Sequence, residues 1–410
     1  MPSEAPTNSP IVLAYSGGLD TSFCVPWLKE TYGSPVITVT VDTGGLGTDA
    51  AESLQSRSSA LGAQAHHLID AKQEFFDQVL KFLIFGNIRR GQLYPLCVGA
   101  ERGLQAQKIA LAARKLGAAR VAHGCTAAGN DQVRFEVALR TLNPELEILA
   151  PVRDQAWARA DQLAFLEERG MPMPPSGGQY SVNRGLWGVT IGGRETLSSK
   201  DPLPESEWVL SASAFSSPRP PEKHAVAFER GVPVALNGRA LEPVALIEAL
   251  EDSAAGFGIG RGIHLGDTVL GTKGRVAFEA PAAEVLLTAH RELEKLTLTA
   301  RQARVKDTVA AIYGDLVHEG QHLDPVCRDI EACLLSSQSR VSGEVHLLFR
   351  PGSVFVEGVT SPHSLMAATR GVYGEAAGEW TAADAVGFSK LLALPGMLHT
   401  RAGDAKAEEQ

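Results

Sequence analysis

The sequence lacks the features that define several common classes of protein. No apolar run is long enough to span a bilayer, and residues 1–10 are polar and proline-rich, without the apolar core of a secretory signal. The net charge of −9 offers no general basic surface for a phosphate backbone. We therefore expect a chain that binds neither membrane nor nucleic acid and begins with a flexible segment at 1–10.

Cysteines are also scarce, and their spacing excludes two kinds of stabilised fold. There are five, none of them in a Cys-x-x-Cys pair: Cys24, Cys97, Cys125, Cys327 and Cys333. The odd count and scattered spacing argue against a disulfide framework and against a structural zinc site. This pattern favours a reducing, cytoplasmic environment.

The chain of 410 residues is long enough for two domains. Its first half alternates short β-branched runs with stretches of helical periodicity. Strands are predicted at 11–15, 36–41, 66–69, 119–123 and 147–150, and helices at 20–32, 50–61 and 103–116. This alternation predicts an α/β fold with a doubly wound parallel sheet, whose ligands bind beyond the carboxyl ends of the strands.

A proline- and glycine-rich break at 171–178 (MPMPPSGG) separates a second half of different character. Strands are predicted there at 225–228 and 345–349, helices at 244–253, 282–296, 301–317 and 381–394, and a disordered tail at 402–410. This mixture is typical of an α+β domain. We predict a nucleotide-binding domain at 11–175, an α+β domain at 176–370 and a C-terminal segment at 371–410.

A glycine-rich octet, YSGGLDTS at 15–22, lies between the first predicted strand and helix. Gly17 and Gly18 allow the backbone to approach an anion closely, and Ser16, Thr21 and Ser22 add hydroxyl donors. The amide groups at a helix start also favour phosphate. No lysine is present, so this is not a Walker loop. The alternative is a tight turn with a serine or threonine helix cap.

The octet resembles the pyrophosphate loop of the N-type ATP pyrophosphatases. Members of that superfamily cleave ATP to AMP and pyrophosphate. They include asparagine, GMP and NAD synthetases, tRNA thiolases and argininosuccinate synthase.

A second segment, AHGCTAAGNDQVRFE at 122–136, follows a predicted strand and should face the same crevice. Thr126, Asn130 and Asp131 offer a hydroxyl, an amide and a carboxylate, a set that can hold the ammonium and carboxylate groups of an amino acid. Arg134 lies about one helical turn further on and can polarise an oxygen or grip a carboxylate. Alternatively, Asn130 or Asp131 caps a helix and Arg134 is solvated.

This segment resembles the argininosuccinate synthase motif His-Gly-x-Thr-x-x-Gly-Asn-Asp-Gln-x-Arg-Phe. The similarity covers roughly residues 10–395 and includes Leu186-Trp187-Gly188, Glu279-Ala280-Pro281-Ala282 and Asp384-Ala385-Val386-Gly387-Phe388. The resemblance implies the family's fold: a nucleotide domain like that of the adenine nucleotide alpha-hydrolases, then an α+β synthetase domain. It also implies a homotetramer, built in part by the C-terminal segment.

The resemblance further implies roles for individual residues. The expected contacts with ATP are Ala14, Tyr15, Ser16, Gly17, Gly18, Leu19, Asp20, Thr21, Ser22, Val41, His123 and Gly124. The expected aspartate contacts are Thr126, Asn130 and Asp131, and the expected contacts with citrulline are Tyr94, Arg134, Ser181 and Thr190. Asp20, Asp131 and Arg134 would be catalytic. ATP with Mg²⁺ would activate the ureido oxygen, and the amine of L-aspartate would then displace AMP.

The departures from the family pattern are concentrated in the expected citrulline pocket. Val98 and Gly99 stand where typical members have threonine and serine, Gly266 aligns with a citrulline-binding glutamate, and Phe278 aligns with a tyrosine. Outside that pocket, Ala128 replaces a common lysine. A buried ammonium without its carboxylate is strongly disfavoured. We therefore expect a modified ureido, carbamoyl or amide acceptor, as in specialised metabolism. The alternative is an ordinary arginine-pathway enzyme in which Asp267 supplies the carboxylate.

Two other classes of protein share the phosphate loop. A tRNA thiolase would need catalytic cysteines and a basic surface, both of which this sequence disfavours. A silent ATP-binding homologue would not need the complete set of Thr126, Asn130, Asp131 and Arg134.

Overall fold

The computed structural model describes residues 9–173 and 179–407, without the side chains of Thr48 and 404–407. Residues 1–8 of the predicted flexible segment at 1–10, and most of the predicted break at 171–178, lie outside the described residues. The chain divides into two compact units, Met1–Pro362 and His363–Gln410. In the described part of the chain, no helix has both the length and the apolar character needed to cross a bilayer.

A five-stranded parallel sheet organises the first part of the chain, with strand order β3-β2-β1-β4-β5. Its strands are β1 (Ile11–Ala14), β2 (Val36–Asp42), β3 (Ala65–Asp70), β4 (Arg120–Ala122) and β5 (Glu147–Leu149). Its helices are α1 (Leu19–Tyr32), α2 (Thr48–Ala60), α3 (Lys72–Phe75), α4 (Lys81–Gly86), α5 (Arg102–Lys115), α6 (Asp131–Leu142), α7 (Pro151–Asp154) and α8 (Arg159–Glu168). Short π and 3₁₀ turns occupy Phe76–Leu80 and Gly99–Glu101.

Alternation along the strands gives this sheet two buried faces. Ile11 and Leu13 pack with Phe23 in one hydrophobic cluster, whereas Val12 packs with Ile109 in another. The five predicted strands and the three helices predicted here are confirmed, with boundaries shifted by one or two residues. The predicted α/β fold with a parallel sheet is therefore correct.

Two antiparallel sheets follow. One has the strand order β11-β12-β7-β6 and the other β10-β9-β8-β13-β14. Their strands are β6 (Ser181–Gly185), β7 (Gly188–Gly192), β8 (Glu222–Glu229), β9 (Val232–Leu236), β10 (Arg239–Ala240), β11 (Arg261–Asp267), β12 (Lys273–Glu279), β13 (Gly343–Arg350) and β14 (Ser353–Thr360). The accompanying helices are α9 (Pro243–Ala255), α10 (Pro281–Thr297), α11 (Ala300–His318) and α12 (Pro325–Ser337), with 3₁₀ turns at Arg194–Leu197, Glu205–Glu207 and Gln338–Arg340.

The four-stranded sheet was not predicted from the sequence. Its strands carry glycine and charged residues in place of a β-branched run, as in β11 (RGIHLGD) and β6 (SVNRG). Such strands have weak intrinsic propensity, and pairing with their neighbours determines their structure. The second unit contains α13 (Leu365–Ala368) and α14 (Ala382–Ala407). The prediction of disorder from 402 is wrong as far as 407, because α14 continues to Ala407.

Candidate active site

The phosphate loop lies between β1 and α1, at the carboxyl edge of the parallel sheet. Gly17 has a φ of +75°, a conformation that favours glycine, and an added Cβ would lie 2.3 Å from Leu54 Cδ2. Arg57 of α2 donates a hydrogen bond to the Gly17 carbonyl over 2.7 Å. The loop is therefore fixed by α2 and by the hydrogen bond of Thr21 to the Gly18 carbonyl.

Helix α1 begins without a side-chain cap. Its N-cap residue is Gly18, and no side chain accepts a hydrogen bond from the first turn. The hydroxyl groups of Ser16 and Thr21 bond to each other over 3.2 Å. The alternative of a serine or threonine helix cap is therefore wrong, and the amide groups of the first turn are available to an anion.

The segment after β4 packs directly against this loop. Gly124 lies so close to α1 that an added Cβ would be 3.0 Å from Thr21 Cγ2 and 3.1 Å from the Thr21 nitrogen. His123 is buried, and its Nε2 lies 3.7 Å from the Glu136 carboxylate. Because β1 and β4 are adjacent parallel strands, the two predicted motifs meet at one edge of the sheet. The strand order reverses between these two strands, where open α/β sheets bind ligands.

Asn130, Asp131 and Arg134 are held by contacts within the protein. Asn130 is the N-cap residue of α6, yet no side chain caps that helix. Its Oδ1 instead accepts a hydrogen bond from the Val269 amide over 3.0 Å. Arg134 is buried, donates to Asp131 over 2.9 Å and donates to the His318 carbonyl over 2.7 Å. The alternative of a capping asparagine and a solvated arginine is therefore wrong.

A chain of ion pairs extends from Asp131 towards β2. Arg102 Nε lies 3.0 Å from Asp131, and its NH1 lies 3.1 Å from Glu101. Burial would raise the pKa of Asp131, but the two guanidinium groups outweigh it and lower the pKa. Burial raises the pKa of Glu101 to about 7, against the effects of Arg102 and of the Thr43 hydroxyl. Asp131 is therefore ionised at neutral pH, whereas Glu101 is near its midpoint.

A cavity of about 220 Å³ adjoins this network. Eight of the predicted substrate contacts line it: Tyr94, Val98, Gly99, Asn130, Asp131, Arg134, Thr190 and Gly266. Val98 has a φ of 59°, and the Gly99 amide bonds back to the Cys97 carbonyl, which forms a tight γ-turn in the cavity wall. The cavity brings together residues from α6, the 94–99 turn and the four-stranded sheet.

Other predicted residues lie outside this cavity lining. Phe278 is buried behind it, with its ring centroid 5.2 Å from that of Tyr94. Ser181 is an exposed residue paired with Gly192 at the start of β6, and Thr126 lies in the loop before α6. Val41 is half-buried near the carboxyl end of β2, by the expected nucleotide side.

Several residues that line the cavity were not predicted from the sequence. They are Cys97, Asn183, His264, Thr268, Gly274, Arg275, Val276 and His318. His264 and His318 come from β11 and the end of α11, which no local motif connects to the phosphate loop. Burial, with Arg134 beside it, lowers the pKa of His318 to about 3, so this imidazole is neutral. Arg275 instead donates to the backbone carbonyls of Glu195 and Asp201, a structural role.

Known proteins that resemble this chain show both its class of enzyme and its family. Residues 10–172 match the arginosuccinate synthase N-terminal HUP domain, in agreement with the parallel sheet and its phosphate loop. Residues 180–399 match the arginosuccinate synthase C-terminal domain. The chain is thus a carbon–nitrogen ligase of the type that forms AMP and pyrophosphate. It belongs to the argininosuccinate synthase family, whose members use ATP.

Individual relatives match over most of their length. An argininosuccinate synthase of Methanocaldococcus jannaschii is 40% identical over 86% of this chain and 89% of its own. One of Xanthomonas campestris is 40% identical over 96% of this chain and 99% of its own. A third, of Dehalococcoides mccartyi, is 38% identical over 98% of each chain. These relatives favour an ordinary argininosuccinate synthase over the modified acceptor that we expected, and they give no support for specialised metabolism.

Proposed function

We propose that the chain is an argininosuccinate synthase that joins citrulline to L-aspartate at the expense of ATP. The observation that carries this proposal is the cavity in which Asn130, Asp131 and Arg134 face residues of the four-stranded sheet. The segment that leads to these residues packs against the phosphate loop at Gly124. Its few convergent polar groups suit the cavity to a small polar substrate.

In the proposed reaction, the ureido oxygen of citrulline attacks the α-phosphorus of ATP and pyrophosphate leaves. The amine of aspartate then attacks the ureido carbon, the carbon–oxygen bond to AMP breaks, and the nitrogen loses a proton. The amide groups of the α1 first turn bind phosphate, and Arg134 stabilises charge on the ureido group. No protein nucleophile is required, so catalysis rests on positioning and charge.

Mg²⁺ fits this site as a companion of the nucleotide. No cluster of three or more histidine, cysteine, aspartate or glutamate side chains suited to a metal occurs among the described residues. Mg²⁺ commonly binds through one or two carboxylates and substrate phosphates. Asp20, in the first turn of α1, would hold it there, and the ion would neutralise phosphate charge.

The assembly and location are part of the same proposal. Helix α14 exposes a run of large apolar side chains, namely Val386, Phe388, Leu391, Leu392, Leu394, Met397 and Leu398. A patch of this kind supports burial against other copies, as in the homotetramer that the family resemblance implies. The five free cysteines support a reducing cytoplasm.

Isotope transfer tests the proposed reaction. Citrulline labelled with ¹⁸O in the ureido group should give AMP that carries the label, together with argininosuccinate and pyrophosphate. Pyrophosphate should appear only when ATP, citrulline and aspartate are all present. Unlabelled AMP, or pyrophosphate release without citrulline, would contradict the proposal.

A further inference from the structure

The amino-acid end of an acceptor in this cavity needs a partner for its ammonium group, yet the carboxylates there are already engaged. Asp131 is bound by both Arg102 and Arg134. Asp267 is paired with Lys273, which is opposite it on β12. Uncharged polar side chains are the other candidates for this role, and three of them line the cavity without a hydrogen bond among the described residues: Asn183, Thr190 and His264.

His264 is the most firmly positioned of these three side chains. Its ring stacks on Tyr94, with centroids 5.4 Å apart and planes 16° apart. Its Cε1 edge faces Gly91, and its Nε2 lies over Gly266. Burial, together with Arg90, lowers the pKa of His264, so the ring is neutral at pH 7 and one of its nitrogens can accept a hydrogen bond.

The glycine at 266 is what makes room for this ring. A Cβ added at Gly266 would lie 2.5 Å from His264 Nε2, so a side chain at 266 and the ring in this position exclude each other. The two residues lie two apart on β11, so their side-chain directions are the same. His264 Nε2 thus occupies the space from which a residue at 266 would reach into the cavity.

Asp267 also lines the cavity, but its carboxylate is paired with Lys273 and does not share the strand face of His264. Strand β11 pairs with β12 without a bulge from Arg261 to Asp267, so alternate side chains point to opposite faces. His264 and Gly266 share one face, whereas Leu265 and Asp267 share the other. The Asp267 carboxylate is also more than half exposed and lies beside Lys273.

We propose that His264 is the specificity-determining residue that recognises the acceptor's α-ammonium group, with Nε2 as a neutral hydrogen-bond acceptor. This inference rests on the proposed function, since it takes citrulline as the acceptor. It explains how a pocket that has lost a carboxylate at 266 still binds an amino acid. Stacking on Tyr94 holds the ring so that little side-chain freedom is lost on binding.

Citrulline analogues that lack one functional group test this assignment directly. The His264→Leu variant should raise the KM for citrulline roughly 10- to 100-fold, the usual effect of losing a hydrogen bond to a charged group. With 5-ureidopentanoate, which is citrulline without its α-amine, wild type and variant should have KM values within about threefold of each other. The KM values for ATP and aspartate should not change, which also shows that the variant is folded.

Two controls make the assignment specific. Leu265→Ala alters the next side chain of the strand, which is exposed and on the opposite face, and should leave every KM unchanged. Asn183→Ala is a control on selectivity: because Asn183 lines the same cavity, any rise in KM should be about the same for citrulline and for 5-ureidopentanoate. The proposal is overturned if Asn183→Ala shows the selective loss, or if His264→Leu weakens both acceptors equally. It is also overturned if His264→Leu leaves the KM for 4-ureidobutylamine unchanged, because that analogue lacks the α-carboxylate but keeps the amine.

A double substitution that should restore citrulline binding provides a second test. Gly266→Glu alone should weaken citrulline binding, because the new Cβ displaces the His264 ring. In the His264→Ala background the same glutamate has space, and the KM for citrulline should return to within about tenfold of wild type. Equal effects of Gly266→Glu in both backgrounds would overturn the proposal. Failure of wild type to use citrulline would instead refute the proposed function itself.

Discussion

The nucleotide side and the acceptor side of this site are built from different parts of the chain. The phosphate loop relies on backbone: a glycine with positive φ, a carbonyl bonded to Arg57 and an uncapped helix start, all within the stretch from Gly17 to Arg57. The cavity relies on side chains from 94–99, α6, β7, β11 and the end of α11. The nucleotide side therefore tolerates almost no change in backbone, whereas the acceptor side can exchange one polar side chain for another.

The largest effect should come from adding a side chain on the nucleotide side. Gly17→Val combines an unfavourable φ with a Cβ 2.3 Å from Leu54, so we expect kcat/KM for ATP to fall at least about 100-fold. Gly33→Ala is the matched control, because Gly33 also has positive φ (+62°) but has nothing within 4 Å of an added Cβ. That control should lose about 1–2 kcal/mol of stability and keep normal turnover. Wild-type affinity for ATP in Gly17→Val would contradict the assignment.

A smaller effect is expected where the two sides meet, at Asp131. Asp131→Asn removes the charge between Arg102 and Arg134, and the KM for aspartate should rise about 10- to 100-fold. The KM for ATP should stay within a few-fold of wild type. Asp161→Asn, at an exposed position in the first turn of α8, serves as a control and should change neither value. An unchanged aspartate requirement would make Asp131 a purely structural ion-pair partner.

The smallest effect concerns stability at Glu101. Its folded pKa of about 7 lies above the ordinary value of 4.5, so its contribution to stability is full below pH 4.5 and is lost as pH rises through 7. Glu101→Gln should flatten this decline, by an amount on the order of 1–3 kcal/mol between pH 5 and pH 8. Thermal melts across that range measure it, and exposed Glu167→Gln should follow wild type. If the decline in stability persists in Glu101→Gln, other titratable groups cause it.

The difference between the two sides also explains what could be predicted from the sequence. The strands of the parallel sheet and the octet at 15–22 were predictable because β-branched runs and a glycine-rich turn are local signals. The segment at 122–136 was predictable for the same reason. His264 and His318 were not, because their place in the cavity depends on the pairing of β11 with β12 and on the end of α11.

The expectation of a modified acceptor is less well supported than its alternative, for a related reason. Polar or charged groups of the family are absent at Val98, Gly99, Gly266 and Phe278. A sequence does not show which side chain fills the space that a glycine leaves. In the structure, His264 lies over Gly266, and Phe278 is not among the residues that line the cavity. The assignment of each remaining site residue to a substrate, and the domain division at 175, stay predictions.

The contact of Gly124 with the start of α1 has a consequence for how the substrates influence one another. The loop that leads to Thr126 and Asn130 rests on the same Thr21 whose amide belongs to the phosphate loop. A nucleotide that tightens this turn also fixes the loop that would receive aspartate. Because such coupling is reciprocal, bound aspartate must then raise the affinity for the nucleotide by the same factor. Two substrates that never need to touch before the reaction would thus bind cooperatively through a single glycine.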